Sequence, residues 1–83
     1  GPVLEQPRDL VREMLAHRRK RETAILEALR AGPATVTDIA ARLYAKQDPM
    51  LKIAAERNVL AHLLKLQAEA RAEEHGEIWR AAA

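Results

Sequence analysis

The chain has 83 residues and contains no cysteine, no serine and no phenylalanine; tryptophan and tyrosine occur once each. Without cysteine there are no disulfides and no thiolate metal ligands, which fits a reducing, cytoplasmic setting. Without serine or cysteine the commonest catalytic nucleophiles are missing. Glycine occurs only at positions 1, 32 and 76, so no glycine-rich loop can cradle a phosphate. The scarcity of aromatics favours thin helix packing over an aromatic-rich sandwich. No apolar run approaches the ~18 residues of a membrane span. Gly1 to Asp9 lacks the basic-then-apolar layout of a signal peptide. A strong excess of one charge is also lacking, since the formal net charge is +2.

What is present is mostly Ala, Leu, Ile and Val in a length that allows one small domain. A chain this short buries only a little over ~60% of its unfolded surface, so a partner surface is expected. The charge is unevenly placed. Arg8, Arg12, Arg18, Arg19, Lys20 and Arg21 stand against Asp9 and Glu13, while the remainder is slightly acidic. Such a segment attracts phosphate or an acidic protein face.

The stretch from Asp48 to Ala70 organises the rest. Asp48 suits a helix N-cap and Pro49 the first helical position. Ile53, Leu60 and Leu64 recur along one line, with Val59, Leu63 and Leu66 beside it. Together they predict one wide core-facing stripe, with Ala54, Asn58, Ala61, Lys65 and Glu69 opposite.

Before it, Gly1 to Pro7 is expected to be irregular, and Gly1-Pro2 reads either as a cleavage scar or as native sequence. Arg8 to Ala31 is helical by propensity. Its apolar residues form two groups, Leu10, Val11, Met14 and Leu15, then Ala24, Ile25, Leu26 and Leu29. Either one helix crosses the solvated middle or two helices meet near His17 to Arg21. Either way, the two groups are expected to serve different neighbours, the second inside this domain and the first outside it. Gly32-Pro33 ends the helix. Thr37 is the expected cap of a second helix, Asp38 to Ala45, with Ile39, Ala40 and Leu43 inward and Tyr44 at the edge. After the long helix, Ala70 to Ala72 and Ile78 to Arg80 read as a hairpin with Glu74-His75-Gly76 as its turn, with Trp79 against the helices and Ala81 to Ala83 fraying.

The predicted fold is therefore mainly α with a small β-hairpin: a winged helix-turn-helix of three core helices and a wing, with an extra N-terminal helix.

Chemistry is sparse. His17, His62 and His75 sit in separate elements without a second ligand at metal spacing. Duplex DNA is not the expected partner. The outward residues of the third core helix, Lys52, Arg57, Asn58 and Lys65, are diluted by Glu56. The wing carries Glu73, Glu74 and Glu77, which would face phosphate. Arg18 to Arg21 reads as a solvated face, with an Arg18–Glu22 pair, or as a contact with a neighbouring domain or RNA.

Three stretches carry a family resemblance across essentially the whole chain: HRRKRETAIL (His17 to Leu26), PATVTDIAARLY (Pro33 to Tyr44), and the spaced Pro49, Leu51, Ala55, Val59, His62, Leu63 and Leu66. They resemble the C-terminal winged-helix domain of metallo-β-lactamase-fold hydrolases, the endoribonuclease-like members and their bacterial relatives. The resemblance implies residues 1–19 as linker and closing helix of an upstream hydrolase domain, and residues 20–83 as the winged helix. It implies a non-catalytic accessory domain that packs on the catalytic domain and helps form the substrate cleft. No cofactor belongs to this segment; two zinc ions are implied for the catalytic domain. His17, Arg18, Arg21 and Glu22 match the junction motif and His62 the long helix. Arg18, Arg19 and Arg21, with His17, His62 and Lys65, would face the hydrolase domain or an anionic substrate such as RNA. Leu10, Val11, Met14 and Leu15 would form the apolar interface. The family usually has Gly at the Ala70 position and a β-branched residue at Ala72, so the first wing strand is expected to be short or poorly ordered. The competing expectations are a free-standing DNA- or RNA-binding module of transcription-regulator type and a dimerisation module using the first helix.

Overall fold

The structure is a computed structural model that describes residues 7–46 and 48–83. The expectations for Gly1 to Gln6, including the Gly1-Pro2 pair, lie outside the described residues, as does Gln47.

Helix α1 runs Pro7–Ala31 without a break. The extra N-terminal helix is thus continuous with the first core helix, which settles the choice between one helix and two. Nothing in Arg8 to Ala31 breaks a helix, so the solvated middle keeps its hydrogen bonds. Gly32 ends it, its N–H meeting the Leu29 carbonyl at 3.1 Å.

Helix α2, Val36–Leu43, is capped by Thr35 rather than Thr37. Thr35 Oγ1 accepts from the Asp38 N–H at 3.0 Å, while the Asp38 carboxylate accepts from the Thr35 N–H at 3.5 Å. Only Thr35 has an acid three residues on, so the reciprocal capping box forms there. Tyr44 follows α2. Asp48 then caps a 3-10 turn, Pro49–Leu51, accepting from the Met50 N–H at 2.8 Å. Helix α3 spans Lys52–Ala68. The cap and Pro49 therefore start a 3-10 turn that leads into α3, in place of a single helix from Asp48.

The predicted stripe on α3 is half right. Ala55, Val59, Leu63 and Leu66 are buried, at 4-4-3 spacing, whereas Ile53, Leu60 and Leu64 are 68%, 39% and 49% exposed. The core line is offset by about a quarter-turn and takes in Ala55, which the predicted stripe left out. Asn58 and Lys65, expected opposite the core, instead lie along a packed flank and bond to residues of α1 and its neighbours.

At the end of α3, Ala70 takes φ 59°. Its N–H bonds to the Gln67 carbonyl and the Arg71 N–H to the Leu66 carbonyl, the pairing of a Schellman motif. Alanine here adopts a left-handed conformation at a cost of about 1–2 kcal/mol. Strands β1, Ala72–His75, and β2, Ile78–Ala81, pair antiparallel with His75 opposite Ile78. The turn is Gly76-Glu77 and not Glu74-His75-Gly76, because Glu74 and His75 pair with Trp79 and Ile78, and Gly76 at φ 66° supplies its positive φ. The first strand begins two residues later than expected and is short, at four residues, but regular, with Ala72 buried in place of a β-branched residue. Ala81 belongs to β2 and the Ala82 N–H bonds to the Arg71 carbonyl, so the end frays less than expected.

Trp79 closes the core at 1% exposure, amid Ile25, Leu29, Ile39, Val59, Leu63 and Leu66. Its backbone also exchanges two hydrogen bonds with Ala34, at 2.8 and 2.9 Å, adding a one-residue third strand. A three-helix core with a wing is the winged-helix arrangement. Among the described residues no helix is long and apolar enough to cross a membrane.

Candidate functional site

A helix advances about 100° per residue, so residues three, four and seven apart share a face. On α1 that relation links Val11, Met14, Arg18, Arg21 or Glu22, Ile25 and Leu29 along one line. The lower part of the line is core: Ile25 and Leu29 are 0% and 3% exposed. The upper part is bare. Leu10, Val11, Met14 and Leu15 are each between 45% and 59% exposed. The orphan apolar group therefore occupies the same side of α1 as the core contacts, and Arg18, Arg21 and Glu22 fill the boundary between them.

Each boundary residue has a distinct setting. Glu22 is mostly covered and accepts from Lys65 Nζ at 2.7 Å and from Arg71 Nη1 at 3.2 Å. Glu69 accepts from the same two cations, at 2.9 and 3.3 Å. This network ties α1 to the end of α3 and the wing. It replaces the expected Arg18–Glu22 pair, because Lys65 and Arg71 reach Glu22 across the packed interface. The Lys65 ammonium is held above its ordinary pKa by Glu22, then Glu69, and the Glu69 carboxyl is held below its ordinary value chiefly by Lys65.

Arg21 is placed by uncharged groups. Its guanidinium lies 4.8 Å from the Tyr44 ring centroid, within cation–π range. It also donates from Nη1 to Asn58 Oδ1 at 3.4 Å, an oxygen that accepts from the Tyr44 hydroxyl at 2.8 Å. Burial raises the Tyr44 pKa, an effect Arg21 partly opposes, so the phenol stays protonated as the donor. Among the described residues no carboxylate lies within 4.0 Å of Arg18, Arg19 or Arg21.

His62, on α3, is half-buried beside this seam. Burial lowers its pKa below 6.5; Glu22 opposes that shift, while Arg21, Lys65 and Arg18 add to it. The imidazole is therefore neutral near pH 7. His17, at the edge of the α1 line, is exposed. Of the sequence-derived set, the fold gathers Arg18, Arg21, His62 and Lys65 at one seam. Arg19 projects from the side of α1 about a quarter-turn away. Sequence reading missed Tyr44, Asn58 and Arg71 as members. The available signal was Asn58 itself, a poor helix former in the middle of a helix, which implies a side-chain partner.

The outer face of α3 is poor for reading bases. Lys52 is 3.9 Å from Glu56, Asn58 and Lys65 are engaged, and exposed Ile53, Leu60 and Leu64 flank Arg57. The wing exposes Glu73, Glu74 and Glu77, and His75 Nε2 lies 3.6 Å from Glu73. Among the described residues no group of His, Asp or Glu converges as a metal site.

The family model for the beta-lactamase associated winged helix domain matches residues 35–79, from the cap of α2 through Trp79 in the wing. No curated protein and no solved structure matches the chain. The match spans more than half the chain and covers α2, α3, β1 and the first half of β2. The chain belongs to the family of winged-helix domains associated with beta-lactamase-fold proteins.

Proposed function

We propose that this domain is a non-catalytic C-terminal accessory domain of a metallo-β-lactamase-fold hydrolase and packs on the catalytic domain of the same chain. The observation that carries the reading is the bare apolar group Leu10, Val11, Met14 and Leu15 on a helix whose other half is core. Covering it would contribute about 1 kcal/mol per side chain, since each is already half out of water. The catalytic domain would hold the two zinc ions and all bond-breaking groups. This domain would wall one side of the substrate cleft. Arg18, Arg19 and Arg21, with His17, His62 and Lys65, would line the junction and set a positive potential beside it.

The test is Leu15→Gln in two contexts. In the 83-residue chain the substitution alters stability by no more than about 0.5 kcal/mol, because the site is exposed and Gln is a good helix former. In the chain that includes the catalytic domain it destabilises by about 2 kcal/mol, because an amide is placed in an apolar contact. Equal, small effects in both contexts overturn the proposal. So does tight, steeply salt-dependent binding of duplex DNA by the 83-residue chain, the mark of a free-standing regulator.

A further inference from the structure

The register of α1 constrains what covers it. Val11 and Met14 lie on the same line as Arg18, and Arg21 sits a helical turn above Ile25. A body that covers the apolar group from the core side of α1 therefore also abuts Arg18 and Arg21. Those two guanidinium groups have no carboxylate among the described residues within salt-bridge distance. The acid nearest in sequence, Glu22, is already matched by Lys65 and Arg71. Arg21, moreover, is pinned: the Tyr44 ring and Asn58 Oδ1 fix its guanidinium without neutralising it. Enclosing a fixed cation that no anion meets is strongly unfavourable, because its lost hydration is not replaced.

On this basis we infer that the covering surface is apolar opposite Leu10, Val11, Met14 and Leu15 and presents a carboxylate that pairs with Arg18 and Arg21. The inference rests on the accessory-domain reading and names the chemistry of its contact. Charge and shape both favour a protein carboxylate. A planar guanidinium fork matches a carboxylate in a bidentate pair. A free phosphate would match the charge but would leave the adjoining apolar group uncovered. The pair gives the contact a register that apolar packing alone does not supply, because a carboxylate meets both arginines at only one position along α1.

The experiment is zero-length coupling in the chain that includes the catalytic domain. Arg18→Lys and Arg21→Lys variants are treated separately with a water-soluble carbodiimide, which joins an amine to a carboxylate only when the two are in contact. Digests are then read by mass spectrometry. The Lys65–Glu22 pair, at 2.7 Å, is the internal positive control, and Lys20, which points away from this side of α1, is the negative one. The expected result is an amide from position 18 or 21 to an Asp or Glu of the catalytic domain, several-fold more abundant than any from Lys20. Formation of the Lys65–Glu22 link with none from either variant position to the catalytic domain overturns the inference. If Leu15→Gln still destabilises that chain, the accessory-domain reading survives and only the carboxylate fails; if it does not, both fail. Protection of Arg18 and Arg21 from phenylglyoxal by inorganic phosphate, without such links, also overturns it, assigning the site to a small anion.

Discussion

The two halves of α1 have similar sequences and opposite fates. Leu10, Val11, Met14 and Leu15 resemble Ile25, Leu26, Ala28 and Leu29 in apolar character, and each set lies on one side of the helix, yet the first set is exposed and the second is core. Only the second half has α3 and Trp79 to lie against. Burial is thus decided by what stands opposite, and an amphipathic pattern reports that a face needs a partner without saying whether the chain in hand provides it. The boundary is marked chemically. Glu22 is the last residue of the line tied into the domain, through Lys65 and Arg71, and Arg18 lies beyond it with no carboxylate within 4.0 Å among the described residues.

The largest effect separates the halves directly. Ile25→Ala is expected to cost about 2–5 kcal/mol, as for other fully buried aliphatic residues, whereas Leu15→Ala in the 83-residue chain costs less than about 0.5 kcal/mol. Urea titrations followed by Trp79 fluorescence measure both. A similar loss for the two would erase the distinction. A smaller effect concerns the boundary. Glu22→Gln weakens both charge-assisted contacts and is expected to cost about 1 kcal/mol; no loss would mean that α1 is seated by its apolar residues alone. The packed half can also be strengthened. Ala70→Gly relieves the left-handed strain at the entrance to the wing and is expected to raise stability by about 0.5–1 kcal/mol, after the entropy glycine loses on folding.

The smallest effect is one of pH. The folded-state pKa of His62 lies below 6.5 because burial and the neighbouring cations disfavour its protonated form. The unfolded chain therefore takes up that proton first. The associated stability is fully present above the unfolded value and is lost as pH falls through the folded one. His62→Gln is expected to flatten the decline in unfolding midpoint below pH 6.5, and an unchanged slope would remove His62 from the seam.

Much of the fold was legible because local signals agreed with it. Gly32-Pro33, Asp48-Pro49 and Gly76 mark real boundaries, and Trp79 lies where a lone large aromatic should. Two misplacements have physical causes. Thr37 and Thr35 both suit an N-cap, and only the reciprocal bond with Asp38 selects Thr35. On α3, apolar residues surround so much of the helix that periodicity could not decide which line is buried; Ala55, too small to weigh in the pattern, belongs to the buried one. The site was legible as a list of cations, not as an arrangement. Which of them are neutralised depends on contacts far apart in sequence, such as Lys65 with Glu22 and Arg21 with Asn58, and no local pattern encodes those.

Amide hydrogen exchange over residues 8–19, compared between the 83-residue chain and a chain that includes the proposed catalytic domain, bears most directly on the proposed contact. An uncovered helix end opens readily, so the account predicts fast exchange of these amides in the shorter chain and strong protection in the longer one, with residues 22–31 protected in both. Equally fast exchange of residues 8–19 in the two chains would contradict it.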